Sequence, residues 1–179
     1  MSDIAIKVYE GNDNCLLIVT GINATIDGYQ NKYKTIANDV LSQYGYSVVI
    51  ATLKKGALFK TKAIMTIIMN QLKEKNYQHM YAMGISAGAN MIAIEAHRYK
   101  NIDKLLLINP VLTINIHHIK SGLTHFEGEK TLICGDQDPS YKYTNILNNY
   151  INMIILENVD HYFTDNLALF KTLPHKYLF

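Results

Sequence analysis

His79-Met80-Tyr81-Ala82-Met83-Gly84-Ile85-Ser86-Ala87-Gly88 is the stretch whose reading decides the fold of this chain. An apolar run leads into the glycine, and apolar residues at helical spacing follow it: Met91, Ile92, Ile94 and Ala96. A serine set between a strand end and a helix start, with glycine two positions away on each side, implies a sharp turn. Such a turn forces the serine into a strained backbone conformation that aims its hydroxyl outward. Side chains at 84 and 88 would crowd the neighbouring strand and the helix start, so glycine suits both. The new helix also offers unpaired N–H groups and a positive dipole end beside the hydroxyl, which favours developing negative charge. The bland competing role for Ser86 is that of a helix N-cap in an ordinary α/β turn.

Working outward, the same alternation of periods recurs along the chain. Apolar or β-branched runs lie at 4–8, 16–20, 47–52, 80–85, 104–108, 131–134 and 153–156, and most are short and nearly continuous, as strands covered on both faces are. Helical spacing marks roughly 30–44 and 62–75, the segment after Ser86, 141–150 and a short last helix at 162–170. Strand alternating with helix predicts a doubly wound, mostly parallel sheet with right-handed crossovers. Runs 4–8 and 16–20 break the pattern, because only Glu10-Gly11-Asn12-Asp13-Asn14 separates them. That turn is too short for a crossover helix and predicts an antiparallel hairpin at one side of the sheet. No repeat, low-complexity tract or linker interrupts residues 1–179, so a single domain is expected.

Composition excludes several classes of function. Hydrophobic residues make up 49% and charged ones 18%, which suits a folded globular chain. At 179 residues it is long enough to bury about 70% of its unfolded surface. Formal net charge is only +2, and the basic clusters Lys54-Lys55 and Lys60/Lys62 are short, so nucleic acid is not an expected partner. The start, Met1-Ser2-Asp3-Ile4, lacks the features of a signal peptide, and no run is long enough to span a membrane. Cys15 and Cys134 lie in apolar runs without metal-ligand spacing and read as reduced cytoplasmic core residues. His117-His118 reads as part of a surface loop and not as a metal site.

Active sites in such sheets collect at the carboxyl ends of the strands, so groups able to meet Ser86 must lie just after a strand. Three strand ends carry suitable residues. Gly135-Asp136-Gln137-Asp138-Pro139 holds two carboxylates, Glu157-Asn158-Val159-Asp160-His161 holds an imidazole, and Thr20-Gly21-Ile22-Asn23 supplies a tight turn. A serine hydroxyl attacks well only when a base takes its proton, and histidine titrates in the right range. The imidazole in turn needs a carboxylate to hold its tautomer.

With these residues the chain resembles a small α/β-hydrolase. Ser86, Asp138 and His161 stand in the nucleophile–acid–base order of that fold, and the likeness covers nearly the full length. It implies a three-layer sandwich around a mostly parallel sheet of about seven strands, with an antiparallel first strand and no large cap. It further implies acyl-transfer hydrolysis through a covalent acyl-serine, without a cofactor, by the triad Ser86, His161 and Asp138. By the same analogy the oxyanion hole takes the backbone N–H groups of Ala87 and Ile22. Many relatives carry His-Gly where this chain has Thr20-Gly21.

Each assignment has rivals. Asp138 ends the Gly-x-x-Asp turn as in the family, and Pro139 biases it towards extended backbone. Asp136 stays open as the alternative acid, with turn capping as its other role. Asp160, adjacent to His161, is expected in solvent. His79 precedes the Ser86 strand at its amino end, and His97 points away on the helix after Ser86. His117, His118 and His125 lie in the connection before the acid strand, and His175 lies in the tail. Only His161 follows the last strand, opening the last helix, whose start would favour a neutral base.

Specificity in this fold usually comes from a cap inserted ahead of the acid strand. Here that stretch, 112–130, has room for a loop or short helix, which predicts an open, shallow, partly apolar site. The expected activity is that of a cytoplasmic esterase or thioesterase acting on a small-molecule acyl ester or thioester. A hydrolase-fold protein that binds without turnover is the alternative, motivated by the unusual Thr20 turn; acyl transfer to another acceptor and peptidase action are further variants.

Overall fold

Along β2 (Asn12–Ile22), Cys15, Leu17 and Val19 are buried against one face of the sheet and Leu16 and Ile18 against the other. The period of two repeats in β3 (Tyr46–Leu53), where Val49 and Ala51 oppose Val48 and Ile50. A strand apolar on both faces must be covered on both, and the helices divide accordingly. The structure is a computed structural model that describes residues 4–179; residues 1–3, on which the expectation about signal-peptide features falls, lie outside them. α1 (Lys32–Tyr44) and α5 (Leu167–Tyr177) pack on the Leu16 face. α2 (Thr61–Lys73), α3 (Ala87–Glu95) and α4 (Ile116–His125) cover the other face. In α1 the buried stripe is Tyr33, Ile36, Ala37 and Val40, and Gly45 ends the helix in the left-handed region at φ 69°.

Seven strands run in the order β1-β3-β2-β4-β5-β6-β7. The remaining five are β1 (Ile4–Tyr9), β4 (His79–Ile85), β5 (Ile102–Ile108), β6 (Glu129–Gly135) and β7 (Asn152–Leu156). All neighbours are parallel except β1, which is antiparallel to β3 with Lys7 opposite Ile50. The expected β1–β2 hairpin is therefore corrected: β3 lies between those two strands. The connecting turn crosses the start of β3 and bonds to it there. Ser47 Oγ accepts from Gly11 N–H and donates to Asn12 C=O, while Asn12 N–H donates to Gly45 C=O at 2.7 Å.

Three other expectations are corrected. Residues 141–147 form a 3-10 segment, not an α-helix. The last helix begins at Leu167 because the Asp160 carboxylate bonds Tyr162 N–H, Thr164 N–H and the Thr164 hydroxyl, locking a turn instead. His117 and His118 are exposed, as expected, but belong to α4 and not to a loop. The 112–130 stretch thus holds one short helix, packed against α3.

Strand order reverses direction at β2, since β3 lies on one side of it and β4 on the other. The crevice opened there, at the carboxyl ends of β2 and β4, is where ligands bind in open α/β sheets. Among the described residues no helix is long and apolar enough to cross a membrane, and no cluster of three metal-ligating side chains occurs. Both cysteines are buried and unbridged. Burial pushes the Cys134 thiol up to about 12, helped by the charges of Asp138 and Asp136, and it raises Cys15 as well. Iodoacetamide is expected to modify neither thiol in the folded protein and both after unfolding, as read by mass spectrometry. Phe170, fully buried against Tyr33 and Phe163, joins α5 to α1. Phe170→Ala is expected to cost about 3–5 kcal/mol in a urea titration followed by circular dichroism.

Candidate active site

At the end of β4 the chain turns on Ser86, whose φ is 54° and ψ −119°. For a residue with a Cβ this costs about 1–3 kcal/mol and persists only where the surroundings enforce it. They do so from both sides. Ser86 N–H donates to Ile108 C=O at 2.9 Å, and Ser86 C=O accepts from Ala89 and Asn90 N–H at 3.0 and 3.2 Å. Glycines make the approach possible: a Cβ on Gly84 would lie 2.5 Å from Ala89 Cα, and one on Gly88 2.1 Å from Val19 C=O oxygen. The Ser86 side chain makes no capping bond to α3, which removes the N-cap role. Its Oγ instead lies 3.0 Å from His161 Nε2.

His161 Nδ1 stands 2.5 Å from Asp138 Oδ2. The Asp138 side chain is fully buried, and its other oxygen accepts from Ser140 N–H at 2.6 Å. A carboxylate so held is placed to accept the Nδ1 proton in a hydrogen bond, the tautomer that leaves the Nε2 lone pair for the serine hydroxyl. The structure thus brings Ser86, Asp138 and His161 together, and Asp136 is not part of the cluster: its Oδ1 is buried without a partner. His161 does not open a helix, because α5 starts at Leu167, so the helix start expected beside its imidazole is not that of α5. Asp160 is engaged in its own turn, as described. His79 pairs with Asp103 at 2.8 Å at the amino end of the sheet, and the His97 ring lies beside that of His125.

Asn109, directly after β5, was not picked out from sequence. It is fully buried with φ 45°. Its amide nitrogen donates to the carbonyls of Asp160 and His161 at 3.2 and 3.1 Å, while its oxygen accepts from Gly135 N–H at 2.9 Å. One side chain therefore joins the segment carrying His161 to the strand end that leads to Asp138. The signal available was its position at a strand end before Pro110, the same rule that located the other three sites.

Ala87 is the first residue of α3, so its N–H has no intrahelical acceptor. Ile22 ends β2, with Gly21 packed against Ser86. Thr20 is buried, and its hydroxyl donates to Gly21 C=O at 3.1 Å. Asn23 N–H is engaged by Leu53 C=O. The turn, Ser86 and His161 border a cleft of about 420 Å³, whose rim includes the exposed rings of Tyr29 and Tyr162. None of residues 112–130 lines it, so the α4 segment is not a cap over this cleft.

No family model matches the sequence, and no curated protein matches it at the sequence level. Solved structures do match its shape. Est1E from Butyrivibrio proteoclasticus superposes with a TM-score of 0.77 at 13% identity, over 97% of this chain and 91% of that one. An alpha-beta serine hydrolase homologue from Coxiella burnetii gives 0.71 at 15% identity, over 95% and 89%. The thioesterase domain from the curacin biosynthetic pathway gives 0.68 at 14%, over 95% and 94%. The chain has the α/β-hydrolase fold.

Asn109→Ala removes all three bonds and strands the buried Gly135 N–H and the part-buried carbonyls of Asp160 and His161. It is expected to lower stability by about 2–4 kcal/mol. Hydrogen exchange at residues 160–164 should accelerate beyond the global loss of stability, with β4 amides reporting only that global loss.

Proposed function

We propose that this protein is a serine hydrolase that cleaves small carboxylic esters or thioesters through a covalent acyl-serine, with residues 1–179 acting as one catalytic domain. The observation that carries this reading is the position of His161, bonded through one ring nitrogen to a buried carboxylate and through the other to a strained serine.

The chemistry follows from that geometry. Ser86 Oγ attacks the acyl carbon as its proton passes to His161 Nε2, and the carbonyl oxygen becomes an oxyanion. Backbone N–H groups of Ala87 and Ile22 are the donors assigned to that oxygen, the first aided by the positive end of α3. Collapse breaks the bond to the alkoxide or thiolate, which leaves with the proton from Nε2. Water then gives a proton to Nε2, attacks the acyl-serine and releases the acid, restoring the Ser86 hydroxyl. Asp138 stays ionised throughout and stabilises the transient imidazolium. Only water is consumed, so the reading calls for no cofactor. The open, uncapped cleft supports small acyl groups or an acyl chain presented on a larger carrier. The small net charge of +2 supports no role with nucleic acid, and the two unbridged buried thiols support a cytoplasmic setting.

A fluorophosphonate probe is expected to label the wild-type protein and spare Ser86→Ala. With short-chain esters and thioesters, Ser86→Ala and His161→Ala should each lower kcat by at least about a thousand-fold, and the double variant little further, as members of one cooperating unit do. Asp138→Asn should cost roughly ten-thousand-fold by stranding the wrong imidazole tautomer. Full activity in His161→Ala contradicts the reading.

A further inference from the structure

Lys32 opens α1, yet the residue is only 8% exposed, an unusual setting for a lysine. Its Nζ lies 4.3 Å from the ring centroid of Phe170 and 5.3 Å from that of Tyr33, in cation–π contact with both. It lines the same cleft as Ser86 and His161, and among the described residues no aspartate or glutamate lines that cleft. Among the described residues no hydrogen bond or ion pair reaches its ammonium. The acid whose charge acts on it is Asp160, and that carboxylate is held by Tyr162 and Thr164. A cation withdrawn from water without a partner is costly, and here burial draws the Lys32 pKa below its ordinary value, opposed by Asp160. An anion in the cleft would supply the missing counter-charge.

We propose that Lys32 reads a negative charge on the ligand of this cleft, so that the preferred esters or thioesters carry an anionic group, such as a carboxylate, on the acyl or the alcohol portion. This rests on the hydrolase reading for the word ester; the recognition of an anion at the cleft does not. A lysine presents a compact point charge, so carboxylate, sulfonate and phosphate share the chemistry it selects. The rings of Tyr33 and Phe170 hold the ammonium at the wall, and the Asp160 carboxylate whose charge reaches it is bonded to Tyr162 and Thr164.

The test separates recognition from turnover. Ser86→Ala protein, with and without Lys32→Met, is titrated with two isosteric pairs, followed by NMR. Ethyl hydrogen glutarate against ethyl glutaramate places the charge on the acyl side, and 3-acetoxybenzoate against 3-acetoxybenzamide places it on the alcohol side. The anionic member of at least one pair is expected to bind about ten-fold tighter than its neutral partner, and the pair that shows it names the side. Lys32→Met should bring that ratio to within about two-fold of unity, and Lys32→Arg should keep it; Lys32→Gln replaces the Met variant if that one fails to fold. Equal binding of both members, failure of the anions to bind, or a preference that survives Lys32→Met overturns the inference. Turnover of the same four esters by protein with Ser86 intact decides the hydrolase reading separately. Lys32-dependent anion preference without turnover would sink that reading alone, and Ser86-dependent turnover with no anion preference in binding would sink only the role of Lys32.

Discussion

At residue 88 the chain passes so close to β2 that no side chain fits: a Cβ there would sit 2.1 Å from Val19 C=O oxygen. That approach ties the carboxyl ends of β2 and β4 to the first turn of α3. It falls where the strand order reverses, so a close backbone contact and the open crevice share one place. With Gly88 against β2 and Gly84 under Ala89, Ser86 has little choice but its positive φ. The strain is offset by the bonds of its backbone to Ile108, Ala89 and Asn90. The hydroxyl is therefore fixed in space before any ligand arrives, which is the condition under which positioning lowers a barrier.

The other half of the site is hung from strands β5, β6 and β7. Asn109, at the end of β5, bonds both the Gly135 end of β6 and the segment after β7 that carries His161. Asp138 is locked from the opposite side by Ser140 N–H. The imidazole is thus clamped between groups whose own positions are set by the sheet. A buried carboxylate would be unstable alone, but here both oxygens have donors. On the solvent side the cleft stays open, bordered among the described residues by tyrosines and one lysine, so in the proposed reading orientation of the reacting groups and selection of the ligand fall to different residues.

Much of this was legible in the sequence, for identifiable reasons. Seven apolar runs became seven strands, the inner ones because a strand covered on both faces leaves a continuous run, whatever its neighbours. Ser86, Asp138 and His161 could be placed because each follows such a run, and strand ends converge. The position of β1 was not legible: a short turn shows that the chain reverses, but not that Ser47 and Gly45 let it step across β3. The last helix was set too early because its start depends on how Asp160 folds back on Thr164, a local bond that apolar spacing does not encode. Lys32 gave no signal at all. A lysine at a helix start reads as solvated, and nothing local shows that Phe170 arrives over it from the far end of the chain.

The central claim is that the acyl group passes through Ser86. It is tested most directly by quenching the protein with acid during turnover of an activated acetate ester and sequencing its peptides by mass spectrometry. The account predicts one acetyl group on Ser86, formed in the wild-type protein and absent from the His161→Ala variant. Ester turnover with no acetyl group on Ser86, or the same adduct formed as fast without His161, would contradict it.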